Sequence, residues 1–239
     1  MMRTTAIAGL AALLASMPLA AQDAAPGEDA RVKVEVSFSP ALERRLNVSN
    51  RLEQSRERDF REQGYYGNSR RRAGVFRFAA NQTPNLKWAG EFLIPAVEDY
   101  SFENLLSSLT LDNLKRAAPD FAGTIHYEIN NLKISNYSIS FIQGRSSYVI
   151  GYINVLAPDG SLLQSEKITA NLVVDFSVDW DYQGPKYAFM QTDDDLRVGP
   201  MFSYFVEKAL ERVWPEQSKV IQGPVMIQIS GPDETVISS

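Results

Sequence analysis

The stretch YVIGYINVLAPDGSLLQSEKI, Tyr148–Ile168, decides the fold class. Two runs of β-forming residues flank Ala157-Pro158-Asp159-Gly160-Ser161, where proline and glycine stand at the positions a tight turn requires. Runs joined this closely pair as neighbouring antiparallel strands. Upstream, TIHYEINNLKI sets Ile125, Tyr127 and Ile129 on one face and His126 and Glu128 on the other. SISFI, residues 138–142, reads as a further strand. Downstream, Leu172, Val174, Phe176, Val178 and Trp180 alternate with Val173, Asp175, Ser177, Asp179 and Asp181. An antiparallel meander is the economical topology for this half of the chain.

A meander with one apolar face needs a cover. The segment Val198–Trp214 supplies it. Gly199-Pro200 opens a helix and Pro215 stops it. Met201, Phe202, Phe205, Val206, Ala209, Leu210, Val213 and Trp214 form an apolar stripe; Ser203, Glu207, Lys208, Glu211 and Arg212 are expected to face away. A second helix spans Ser101–Lys115, capped by Ser101, with Phe102, Leu105, Leu106 and Leu109 on one side. Nearer the amino end, RVKVEVSFS alternates strictly and predicts a half-buried strand ended by Pro40. AGVFRFAA (73–80) and LKWAGEFLI (86–94) read as two further strands, and VMIQIS (225–230) as a closing one. The expected fold is therefore α+β, one domain over 31–239. Its antiparallel sheet of six to eight strands carries both helices on one face, with an amino-terminal strand and a charged helix beside it.

The first 21 residues have the layout of a secretory signal: Arg3, an apolar run over Ala6–Met17, then small residues at Ala20 and Ala21. The run is shorter than the ~20 strongly apolar residues a membrane span needs. Residues 22–30 read as a loose polar leader. The chain contains no cysteine, so neither a disulfide nor a cysteine-linked lipid is available to it. The expected location is periplasmic or secreted, with no transmembrane segment once the signal is cut.

The net charge of −5 is unevenly spread. Residues 43–72 hold nine arginines against five acids. Ala41–Gln63 reads as a helix with few apolar residues (Leu42, Leu46, Leu52, Phe60), which predicts a loosely held arm. Arg56, Arg58, Arg61, Arg70, Arg71 and Arg72, with Tyr65 and Tyr66 for stacking, are the candidate anion-binding residues. A solvated helix partly neutralised by its own glutamates is the plainer reading. Export argues against nucleic acid as the partner; an envelope protein, or an anionic envelope polymer or lipid, fits better.

Catalytic signatures are sparse. His126 is the only histidine, and no Gly-x-Ser-x-Gly elbow accompanies it. A lone histidine without cysteines does not make a zinc site, and no metal or cofactor is expected. Asp175, Asp179 and Asp181 share one strand face at a spacing of about 6.5–7 Å between next-nearest positions. That spacing suits a pair of hydrolytic carboxylates. A solvated polar face explains them as well, and carboxylates in open water do not gain the raised pKa an acid catalyst needs. Asp193-Asp194-Asp195 complements the amino end of the last helix. A carrier for an apolar molecule between sheet and helix is a third option, but packing accounts for every residue of the stripe.

From Glu91 to Trp214 the order is strand, helix, long strand, the Asp-Gly hairpin, another strand, then the amphipathic helix. This resembles small periplasmic accessory domains of bacterial envelope machines: the CsgG-type, LpoB-type and TolB amino-terminal domains. Members are commonly lipoproteins; this chain departs from them in lacking a cysteine. The resemblance implies a non-enzymatic role in envelope assembly or transport and assigns no site residue. The function expected is an exported interaction module. A secreted hydrolase using the acidic face and a carrier of an apolar small molecule are the alternatives.

Overall fold

Alternating apolar residues fold into a four-stranded sheet ordered β1-β2-β3-β4, where β1 is Lys33–Phe38, β2 Thr124–Lys133, β3 Ser147–Leu156 and β4 Leu162–Leu172. The computed structural model describes residues 32–63, 88–133, 147–172, 186–191 and 198–228, all within one compact unit. The predicted strands 73–80 and 138–142 lie outside these residues, as do positions 173–182 of the acidic strand.

The Asp-Gly hairpin forms as expected. Ala157 N–H donates to the Ser161 carbonyl at 2.9 Å, and Gly160 takes the positive φ of 83° that the turn demands. β2, β3 and β4 are antiparallel neighbours. β1 departs from the expected pattern: it pairs parallel with β2, Val34 opposite Ile125 and Val36 opposite Tyr127. The reason is the connection. The connection from β1 to β2 is long and includes, among the described residues, three α-helices, and a crossover of that length returns the chain in the same direction. The closing strand, β6 (Pro224–Gln228), does not join this sheet. It pairs parallel with β5 (Tyr187–Gln191) in a separate two-stranded ribbon.

The described α-helices are α1 (Pro40–Gln63), α2 (Ala89–Leu93), α3 (Phe102–Ala117) and α4 (Val198–Val213). α2 corrects the strand expected over 86–94. A short apolar run has no period long enough to tell strand from helix. Here the buried residues Gly90 and Ile94 fall one helical turn apart, joined by Ile94 N–H to Gly90 O at 2.9 Å. Trp88 just before it bridges to Ala188 of β5.

α4 and α3 cover the same face of the main sheet. Ile125, Tyr127, Ile129, Val149 and Ile153 point inward and are fully buried, as are Phe202, Phe205, Val206, Ala209 and Leu210 of α4. Phe205 meets the Tyr127 ring edge to face at 5.7 Å between centroids, and Phe102 meets Phe202 at 5.4 Å. Thr110 donates to the Leu106 carbonyl and lies 3.0 Å from the Tyr127 hydroxyl, so both of these buried hydroxyls are satisfied. Burial pushes the Tyr127 phenol well above its ordinary range.

The buried face of α4 is wider than the stripe. Ser203, expected to face away, is fully buried, because the β5–β6 ribbon packs on the helix from another side. α3 is tied to the same ribbon. Tyr187 donates to Asp112 at 2.7 Å, Arg116 donates to Asp112 and to the Tyr187 hydroxyl, and Asn113 accepts from Gln222 N–H at 2.7 Å.

Phe205 anchors the contact between helix and sheet. Phe205→Ala should cost about 3–5 kcal/mol in urea unfolding, the range for aromatic truncation in a packed core. Leu111→Ala, at a partly exposed position on α3, should cost under ~1 kcal/mol.

Candidate functional site

The arginine-rich helix is held by polar groups as well as by its buried Leu46 and the adjoining Leu42. α1 turns Glu53 and Glu57 inward, at 3% and 1% exposure, while Val48 and Leu52 face out. Arg56 pairs with Glu53 at 3.2 Å. Arg61 donates to Glu57 at 3.0 Å, to the Ile94 carbonyl at 2.8 Å and to the Pro95 carbonyl at 2.8 Å. Those two carbonyls lie at the exit of α2, which explains why an arginine sits there. The Glu57 carboxylate lies so close to Gly90 that a side chain there would collide with it. Burial, reinforced by Glu57 and opposed by Arg61, pushes the Glu91 carboxyl up. Farther along, Asn50 accepts from Phe102 N–H at 3.0 Å at the start of α3, and Gln54 donates to the Glu98 carbonyl at 2.7 Å.

The loosely held arm expected from the sequence is therefore, over the described residues, a docked helix. The expectation counted apolar residues only; Leu46 does reach the core, and glutamate, asparagine, glutamine and arginine add directed bonds to it. Of the candidate arginines, Arg58 is exposed, Arg56 is half-buried on Glu53, and Arg61 is committed to main-chain carbonyls. Tyr65, Tyr66, Arg70, Arg71 and Arg72 lie outside the described residues, as do Asp175, Asp179, Asp181 and Asp193–Asp195.

His126 lies on the outer sheet face, its Nε2 2.9 Å from Ser37 Oγ across the β1–β2 pair. Ser37 also donates to the Tyr127 carbonyl at 3.3 Å. The contact joins neighbouring strands of the sheet. Glu35 stands opposite His126; its carboxyl is held low first by the hydrogen bond from Lys33, then by the charge of Lys33. Among the described residues no cluster of three or more His, Asp or Glu side chains could hold a metal ion, and no helix is long and apolar enough to cross a membrane.

A basic cleft that sequence reading missed lies between α4 and β4. Lys167, Ile168 and Thr169 line one wall of this space of about 390 Å³; Lys208, Glu211 and Arg212 line the other. Lys208 Nζ lies 4.7 Å from the centre of the Tyr204 ring and donates to the Thr169 carbonyl at 3.5 Å. Among the described residues Lys167 and Arg212 make no ion pair, and both are exposed. Lys208 and Arg212 flank Glu211 on α4, and Lys167 stands at the β4 wall of the same space. The four-residue spacing of Lys208 and Arg212 puts them on one side of α4, and that much was readable. That α4 lies along β4, bringing Lys167 to the same place, was not.

One turn back on α4, Glu207 sits half-buried against Gly223, where any side chain would strike its carboxylate. Burial and the neighbouring Glu211 push Glu207 up to about 6, with Lys186 and Lys208 pulling the other way.

No protein-family model, curated protein or solved structure matches this chain.

Two outcomes follow for stability. Arg61→Gln removes a guanidinium from the buried Glu57 carboxylate and from the Ile94 and Pro95 carbonyls and should cost about 3 kcal/mol in chemical denaturation, the scale of a broken buried pair. Glu207 behaves in the opposite sense. Its folded pKa lies above the ordinary 4.5, so the folded state holds the proton more tightly. Stability is then lost as pH rises from about 4.5 through 6. Glu207→Gln should raise the melting temperature at pH 7 and show no gain at pH 4, measured by thermal scans across that window.

Proposed function

We propose that this chain is an exported, non-enzymatic interaction module of the bacterial cell envelope, periplasmic or secreted, that binds an anionic protein segment or envelope component. The observation that carries the reading is the cleft itself: Lys167, Lys208 and Arg212 line one space from two elements, with Glu211 the single acid in its lining. Neighbouring cations in a chain of net charge −5 are a local field of opposite sign to the whole. The signal-like first 21 residues and the resemblance to envelope accessory domains support the location. The exposed Arg58 of the 43–72 segment adds to the same basic character, whereas Arg56 and Arg61 act within the fold.

Polyglutamate and phosphatidylglycerol vesicles are suitable first probes, each measured at low and at physiological salt. The double variant Lys167→Glu/Arg212→Glu should bind at least ~10-fold more weakly, since reversing two partly exposed charges is worth on the order of 1–2 kcal/mol. Undiminished binding by that variant, with loss on replacing Arg70, Arg71 and Arg72 by serine, would move the site to the arginine arm and refute the cleft.

A further inference from the structure

We propose that the outer edge of β4, which no described strand pairs, takes an extended acidic segment of a partner protein as an added strand, with Lys208 and Arg212 reading its carboxylates beside Lys167; this rests on the reading of the cleft given above. β4 is the last strand of the sheet order, and among the described residues no strand pairs with its outer side. It runs for 11 residues, long enough to template a partner. Leu162 and Leu163 at its start are 59% and 62% exposed.

The phase of the edge is readable. Ile168 and Ala170 turn their side chains into the core, so Lys167, Thr169 and Asn171 turn theirs to the outer face. In an antiparallel pair the N–H and C=O of one residue point the same way, and the direction alternates along the strand. Lys208 reaches the Thr169 carbonyl from outside the sheet, which places that carbonyl on the open edge. Lys167, Thr169 and Asn171 therefore present donor and acceptor pairs to any incoming chain. Lys208 stoppers one acceptor of this row. A strand N–H replaces it there, and Lys208 remains over Tyr204, free to meet a carboxylate.

Charge selects the occupant. A second copy of this chain adding edge to edge would bring Lys167, Lys208 and Arg212 against their own kind, which is how natural edges avoid self-pairing. A small free anion would neutralise the cations and leave the main-chain row unused. An extended acidic segment satisfies both. Acids at alternate positions repeat every ~6.8 Å along a strand and fall on one face. Turned toward α4, that row meets Lys208 and Arg212, while the exposed Lys167 adds positive charge along the same edge. Apolar residues at the segment's end cover Leu162 and Leu163. This is strand addition, with main-chain bonds giving affinity and side chains giving choice.

The test uses the full mature chain and a labelled peptide of about eight residues, a length typical of strands, alternating valine with glutamate. Two further peptides carry N-methyl groups, one on the valine amides and one on the glutamate amides. A docked strand turns one phase of its amides to β4 and the other to solvent. Binding by fluorescence anisotropy should weaken at least ~10-fold (about 1.4 kcal/mol) for one methylated peptide and stay within about twofold for the other. Lys167→Glu/Arg212→Glu should weaken the unmethylated peptide by a similar factor. Equal behaviour of the two methylated peptides, whether both bind or both fail, overturns strand addition. If the charge variant still loses polyglutamate in that case, the anion-binding reading stands without it. No binding of any peptide, with no effect of the charge variant on polyglutamate, removes both.

Discussion

The structure depends on one contact: the apolar side of α4 lying on the inner face of β2, β3 and β4. Phe205, Leu210, Tyr127 and Ile153 are all fully buried there. The sheet strands alternate apolar and polar residues, so their inner face needs a partner that presents grease over the same length. α4 is the only described helix whose apolar side is broad enough to serve the sheet and the β5–β6 ribbon together. The cleft proposed as a binding site is positioned by that docking. It lays Lys208 and Arg212 along the rim of β4 and sets Glu207 against Gly223.

Much of this arrangement was legible. Alternation announced β1, β2 and β3, the Pro-Asp-Gly turn announced the β3–β4 hairpin, and the spacing from Met201 to Leu210 announced the burial of α4. These signals are local, and local signals survive without a structure. What failed was non-local or polar. The direction of β1 depends on what lies between it and β2. α2 was misread because five residues carry no period. Ser203 was assigned to solvent because nothing in its neighbours tells of a second layer. The cleft was invisible for the same reason: Lys167 and Lys208 are far apart in sequence, and only the packing of α4 on β4 joins them.

α1 shows the limit of counting hydrophobic residues. Its inner face carries two glutamates at almost zero exposure, matched to arginines and to the glycine of α2. Such a face holds its register through directed bonds, so it specifies one position along the helix where grease would tolerate several. Its stability is correspondingly sensitive to removing a single partner. The arginines that look like a binding surface in the sequence are divided by the fold: Arg61 fastens α2, Arg56 attends Glu53, and Arg58 remains outside.

The parallel pairing of β1 with β2 has a consequence for how the chain is made. Ser37 and His126, which touch across that pair, are 89 residues apart. Synthesis proceeds from the amino end, so β1 leaves the ribosome well before the strand beside which it belongs exists. For that interval Val34, Val36 and Phe38 have no sheet to enter, and an orphan strand of this kind is adhesive. The hairpin of β3 and β4 has no such delay, since its halves arrive together. Assembly should therefore begin in the carboxyl-terminal half and close over the first strand last, leaving the newborn chain most in need of a chaperone at its oldest end.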